Sequence, residues 1–283
     1  MSKLMLPSQI ESLFDNPPAS YQQEHFELFK AFKVALNRGE IRSAEPDPNS
    51  PTGWRVNPWV KKGILLGFRI GAIVDMSVDT QRQPFFDKST YPVRTVSAAD
   101  GIRIVPGGSS IRDGAFIGRG VICMPPMFVN VGAYVDENTL IDSHALVGSC
   151  AQIGKNCHLS AAAQIGGVLE PVGALPVIIE DDVLVGGNAG VYEGTIVKRR
   201  AVLGTGTILN RSIPVYDLLR EQVYSAKDDQ PLVIPEDAVV VPGSRAISTA
   251  AGQKWGLSLQ AAVIVKYRDA KTGSRIQLED LLR

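Results

Sequence analysis

Aliphatic residues recur at every sixth position through the middle of the chain. From Val105 the step runs through Ile111, Ile117, Cys123, Val129, Val135, Ile141, Val147, Ile153, Leu159 and Ile165. After a break it resumes at Ile179 and continues through Val185, Val191, Val197, Leu203, Leu209 and Val215. Cys123 is the one member that is not aliphatic, and cysteine packs in cores as a small apolar residue. A second register lies four residues after each aliphatic and is mostly small, as at Ala115, Ala133, Ala145, Ala151, Ala163, Ala189 and Ala201. Glycine often follows the aliphatic directly, as at Gly118, Gly148, Gly166 and Gly204.

A period of six belongs neither to a helix nor to a simple alternating strand. It fits a short strand plus a turn, with the long aliphatic and the small residue both facing inward. Glycine, Asn and Asp then supply turn conformations with positive φ. Three such faces make one coil, and stacked coils share one continuous core. A β-sandwich would instead alternate every two residues with irregular turn spacing. The pattern predicts a mainly β chain, with a parallel β-helix of six-residue repeats over 101–245. Fourteen residues separate Ile165 from Ile179, two more than two whole steps, so 166–178 is predicted to leave the coil as a loop. Ile234 and Val240 look like one further step.

The flanks lack the six-step. In 21–39, Phe26, Phe29, Phe32, Ala35 and Leu36 are spaced for one helix face, with Gly39 as its stop. The run PWVKKGILLGF at 58–68 reads as a second helix, and Pro46, Pro48, Asn49, Pro51 and Gly53 mark a loop between the two. Residues 1–100 are therefore expected to form a small α-rich domain. An open solenoid end exposes core and strand edges, so this domain is expected to cap one. In 246–283 a strand at 261–267 (AAVIVKY) and an amphipathic helix at 277–282 are expected.

Composition narrows the function. Lys plus Arg equals Asp plus Glu, so the net charge of +0 gives no electrostatic reason for a nucleic-acid or anionic-membrane partner. Three cysteines form no disulfide framework and suggest a reducing compartment. The N-terminus lacks the apolar stretch of a signal peptide, and no apolar run reaches the length of a membrane span. The expected location is the cytoplasm.

Several segments carry a more specific likeness. They are VNVGAYVDENTLID at 129–142, VGSCAQIGKNCHLS at 147–160, IGGVLEP at 165–171, IIEDDVLVG at 178–186, YEGTIV at 192–197 and AVIVKYRDAKT at 262–272, with PWVKKGILLGFRI at 58–70 and FFDK at 85–88 upstream. From about Trp54 onward the chain resembles the tetrahydrodipicolinate N-succinyltransferases of lysine and diaminopimelate biosynthesis, a family of hexapeptide-repeat transferases. The resemblance implies a left-handed coil and a homotrimer with active sites in clefts between neighbouring β-helices. It implies succinyl-CoA as donor and a cyclic imino dicarboxylate, reacting in its hydrated or opened amino form, as acceptor, with no metal or redox cofactor.

Attack of an amine on a thioester requires two positioned substrates, a proton acceptor and a stabilised oxyanion. By the resemblance, Asp142 is the catalytic carboxylate, and it also contacts the substrate. Arg103, in GIRIVPGG, binds a substrate carboxylate through its planar fork. Gly166 and Gly167 lie along the acyl-CoA arm, where their N–H groups would serve the oxyanion. Lys266 and Lys271 would meet CoA phosphates. The well-known members carry a second active-site glutamate that falls on Gly190 here. Glu193, retained three residues later, is expected to substitute for it as a catalytic residue or to bind the amine. His144 is a further candidate base, because other hexapeptide acyltransferases use a histidine.

Three other readings share the scaffold. One is another CoA-dependent N-acyltransferase, with an acetyl donor or a tabtoxin-type acceptor. A γ-type carbonic anhydrase needs three histidines on zinc, and only His144 and His158 fall in the repeats, with His25 far upstream. A non-catalytic ice-adsorbing helix needs a flat repetitive face, whereas the outward positions here mix Arg112, Asp136, Glu137, Lys155 and Lys198.

Overall fold

The computed structural model describes residues 5–228 and 230–268. Its centre is a three-sided coil of two-residue strands. One face stacks Phe116–Ile117, Tyr134–Val135, Gln152–Ile153, Ile178–Ile179, Ile196–Val197 and Val233–Ile234. A second stacks Arg103–Ile104, Ile122–Cys123, Leu140–Ile141, His158–Leu159, Leu184–Val185 and Val202–Leu203, and continues into Ala238–Ala246. The third stacks Ser110–Ile111, Phe128–Val129, Leu146–Val147, Gln164–Ile165, Gly190–Val191 and Ile208–Leu209. All the coil strands pair in parallel, with Val135 opposite both Ile117 and Ile153. The inward aliphatics and the small residues four positions on form one buried cluster, as the repeat requires.

The positive φ that the turns need recurs three residues after the inward aliphatic. Gly132 supplies it at +75°, while Asn138, Asn156 and Asn188 supply it elsewhere. The glycines directly after the aliphatic have another task. A Cβ on Gly148 would lie 2.2 Å from the Gly167 nitrogen of the next coil. Glycine there permits close stacking of backbone on backbone.

Three departures from the six-step shape the molecule. Ile104, rather than Val105, stands opposite Cys123, so the register begins one residue early on the first coil. Ile153 pairs with Ile179, twenty-six residues on, whereas regular coils repeat every eighteen. The excursion at 166–178 is therefore one step plus eight residues, not two steps plus two. Val215 is not a repeat step, because the coil resumes with Val233–Ile234 pairing to Ile196–Val197. Val215–Asp217 pairs instead with Gln222–Tyr224 and with Ser258–Tyr267. Val215, Ala262 and Ile264 are buried in the solenoid core cluster, so these strands close its C-terminal end. The predicted strand at 261–267 is longer than expected, running Ser258–Tyr267 antiparallel to Ala238–Ala246. The helix expected at 277–282 lies outside the described residues.

The N-terminal region holds three helices: α1 (Leu6–Asp15), α2 (Gln23–Asn37) and α3 (Pro58–Ile70). The last two match the predicted helices, and α1 was not read from the sequence. Their shared core contains Ile10, Phe29, Phe32, Ile64 and Tyr91, together with Val131 and Cys150 of the coil. Ser43 Oγ donates to the Cys150 carbonyl at 2.8 Å, and Lys198 Nζ donates to the Thr52 carbonyl at 2.9 Å. The contacts climb the side of the solenoid coil by coil. The expected end cap is thus a flank, because the apolar helix faces are matched by turn residues along one corner.

Candidate active site

The corner between the third and first faces carries the excursion, and beside it lies a cavity of about 970 Å³. Gly166, Gly167, Val168, Glu170, Pro171, Gly173, Ala174 and Leu175 form one wall. Tyr192, Glu193 and Gly194 of the next coil, then Asn210 and Arg211 of the one after, form the floor. Ser50, Pro51 and Thr52 close the other side, so the proline-rich loop of the helical region is part of the site.

Each side chain is placed by the stacking. Glu193 occupies the corner with φ +54°, and its Oε2 accepts the Arg211 backbone N–H at 2.9 Å. The two residues are eighteen apart and therefore neighbours in adjacent coils. Arg211 also donates through its guanidinium to the Asp228 carbonyl. Tyr192 folds back across the third face. A Cβ built on Gly190 would lie 2.5 Å from its Cε2 and 2.8 Å from its hydroxyl, and one on Gly166 would lie 2.7 Å from its Cδ1. The tyrosine ring thus rests on two glycines.

The sequence-predicted residues divide into two groups. Gly166, Gly167 and Glu193 meet at this cavity. The Gly166 N–H, however, donates to the Val191 carbonyl at 2.8 Å as part of the ladder between coils. It is not available to an oxyanion, which corrects that expectation and leaves Gly167 as the candidate amide. Arg103 and Asp142 lie elsewhere, along the second face. Arg103 pairs with Ile122 and Ile122 with Leu140, so two coils separate Arg103 from the strand that Asp142 follows. Asp142 is half-buried, and its Oδ1 accepts the Ser143 N–H at 2.7 Å. His144, two residues on, is exposed with φ +62°.

Lys266 is exposed on Ser258–Tyr267, opposite Val239, and does not line the cavity. A role on CoA phosphates in this cavity therefore does not fit its place. Lys271 lies outside the described residues. His25 is in α2, where its Nδ1 accepts the Gln22 N–H at 2.8 Å. Among the described residues no group of three or more His, Cys, Asp or Glu is arranged to hold a metal. All three thiols are free and buried, and burial raises Cys123 and Cys157 to about 12 and Cys150 to about 11. They serve packing, not nucleophilic chemistry. No helix among the described residues is long and apolar enough to cross a membrane.

Residues 5–70 match the model of the tetrahydrodipicolinate N-succinyltransferase N-terminal domain, and residues 176–211 match that of the hexapeptide repeat of succinyl-transferase. A 2,3,4,5-tetrahydropyridine-2,6-dicarboxylate N-succinyltransferase of Polynucleobacter asymbioticus is 40% identical over 284 residues, covering 98% of both chains. The chain belongs to the tetrahydrodipicolinate N-succinyltransferase family. Another relative, the enzyme of that name from Afipia carboxidovorans, is 38% identical and covers 100% of both chains. A solved structure described as a putative 2,3,4,5-tetrahydropyridine-2-carboxylate N-succinyltransferase of Campylobacter jejuni aligns with a TM-score of 0.46, at 15% identity over 87% of this chain and 63% of that one. Membership makes the coil the left-handed parallel β-helix of hexapeptide-repeat proteins and the chain an acyltransferase of the CoA-dependent class.

Sequence reasoning missed Tyr192, Arg211 and the 50–52 loop as parts of the site. Arg211 was within reach, since a residue eighteen after Glu193 must stack on it. Tyr192 was not, because its backward fold depends on the room left by two glycines.

Proposed function

We propose that the protein transfers the succinyl group of succinyl-CoA to the amine of hydrated or ring-opened 2,3,4,5-tetrahydropyridine-2,6-dicarboxylate, in the cytoplasm and as a homotrimer. The carrying observation is the end-to-end match to enzymes of that name, at 40% identity over 98% of both chains. The amine nitrogen attacks the thioester carbonyl and forms a tetrahedral oxyanion. Its collapse breaks the carbon–sulfur bond, forms the amide and releases CoA as the thiol once the sulfur takes a proton. Asp142 takes the amine proton, and its half-buried corner suits a carboxylate that must do so. Arg103 holds a substrate carboxylate. With strands about 4.8 Å apart, its backbone is roughly 12 Å from that of Asp142, a gap that an arginine side chain and a small dicarboxylate together span. The cavity beside Gly167 and Glu193 takes the pantetheine and acyl arm. No metal or redox group is needed for this acyl transfer.

The deciding assay follows CoA thiol release with L-2-aminopimelate as a stable acceptor, using succinyl-CoA and acetyl-CoA in parallel. Acceptor-dependent release is expected with succinyl-CoA, falling a hundredfold or more in Asp142→Asn. Release with acetyl-CoA alone would replace the donor. No release with either donor from a folded trimer would replace the acceptor.

A further inference from the structure

Lys61 lies inside α3 and is fully buried, among Val60, Ile64 and Leu66. Its ammonium leaves the helical region and donates to the Ala174 carbonyl at 2.6 Å. Burial lowers the pKa of the amine, and the nearby Cys150 thiol only partly opposes this. An ammonium is among the most strongly hydrated side-chain groups, and one neutral carbonyl replaces little of that hydration. An apolar residue of the same length would occupy the same volume with less loss of solvation. Fold stability therefore gives no reason for a lysine here.

The other end of the bond does. Ala174 stands in the 166–178 excursion and on the wall of the cavity. Among the described backbone bonds that hold this excursion, Val168 N–H reaches the Ser149 carbonyl at 3.1 Å, and Ala174 N–H turns back to Pro171 at 2.9 Å. The segment has left the ladder that fixes every regular coil. The Lys61 ammonium supplies a fixed point in its middle, from a helix that is itself locked in the domain core. We infer that Lys61 is a positioning residue that holds the excursion in the shape that receives the acyl-CoA arm. This rests on the reading of the cavity given above, so its test includes a readout that does not depend on catalysis.

The experiment compares the wild-type trimer with Lys61→Met and Lys61→Gln. Amide hydrogen exchange over 168–177 is the first readout, thermal unfolding the second, and KM for succinyl-CoA against kcat the third. Lys61→Met is expected to leave the unfolding temperature equal or higher, to speed exchange in 168–177 about tenfold while the coil strands stay protected, and to raise KM for succinyl-CoA at least fivefold with kcat within a factor of two. Lys61→Gln keeps a donor on a shorter stem and should recover part of the protection. Should the protein turn over neither acyl-CoA, the exchange pattern still decides the role of Lys61. Unchanged exchange in 168–177 overturns the proposal. So does a Lys61→Met protein that unfolds early or exchanges faster throughout, because that result makes the lysine part of the fold.

Discussion

Tyr192 and Gly190 share one volume on the third face, and only one side chain can occupy it. A Cβ at position 190 meets the far end of a flexible tyrosine, 2.5 Å from Cε2, so the fold tolerates a substitution only by moving that ring. Gly190→Glu is therefore expected to leave the unfolding temperature within a few degrees but to push Tyr192 into the cavity and reduce kcat/KM tenfold or more. Adding Tyr192→Val removes the obstruction and should restore part of the loss. Thiol-release kinetics on the four proteins of this cycle should give a coupling energy of about 1–2 kcal/mol, in the range for residues in contact. Strictly additive effects would show that ring and glycine do not share the space. At this scale the sequence was readable only where stacking arithmetic applies. Glu193 and Arg211 follow from an eighteen-residue coil, whereas the direction of a tyrosine side chain and the burial of Lys61 depend on neighbours distant in sequence.

The excursion at 166–178 is the element on which the site depends, and it rests on the coil below it. Gly148 lies under Gly167 with no room for a methyl group, and the atom in the way is backbone nitrogen at 2.2 Å. The far end of a side chain can swing away, but here backbone itself must move, so Gly148→Ala is expected to cost about 1–3 kcal/mol and to shift the Gly166–Gly167 corner. Urea unfolding should show this as a lower midpoint, and KM for succinyl-CoA should rise in the variant that remains folded. An equal substitution at Gly173, where a Cβ meets nothing within 4 Å, should leave the urea midpoint unchanged and serves as the control for stability. The repeat itself was legible from inward residues alone, because a six-step of aliphatics has one solution in three-sided packing. Its irregularities were less so. Val105 and Val215 are apolar at the right spacing, yet one sits a residue past the register and the other pairs with Ser258–Tyr267. Spacing reports which residues want burial, and strand pairing decides where they find it. The short helix α1 carries Leu6, Ile10 and Leu13 at helical spacing, and it has little signal beyond those three residues.

Across the whole molecule, the two groups of site residues are too far apart to serve one reaction within one chain. Asp142 follows the second face, and Glu193 occupies the far corner of the third, two coils onward. At about 3.3 Å per residue along the face and 4.8 Å per coil, the separation is roughly 15–20 Å. A tetrahedral intermediate spans a fraction of that. Exposed apolar side chains also stand unpaired in the isolated chain, with Phe85, Phe86 and Val78 on one side and Leu218, Val223 and Trp255 near the closed end. The proposed cyclic trimer would answer both features, since a heterologous ring brings one corner of each coil against a different corner of the next. On this proposal each active site takes Asp142 from one subunit and Glu193 from its neighbour. Asp142→Asn and Glu193→Ala should each abolish most activity when assembled alone. Unfolded together in equal amounts and reassembled, they should recover about one quarter of the wild-type sites, because each of the two contributing subunits is intact at its own position half of the time. A mixture that stays as inactive as its components would place both residues in the same subunit's site, whereas a Glu193→Ala protein active on its own would remove Glu193 from the chemistry. Activity restored with the quarter yield would show that the catalytic unit is the contact between two chains.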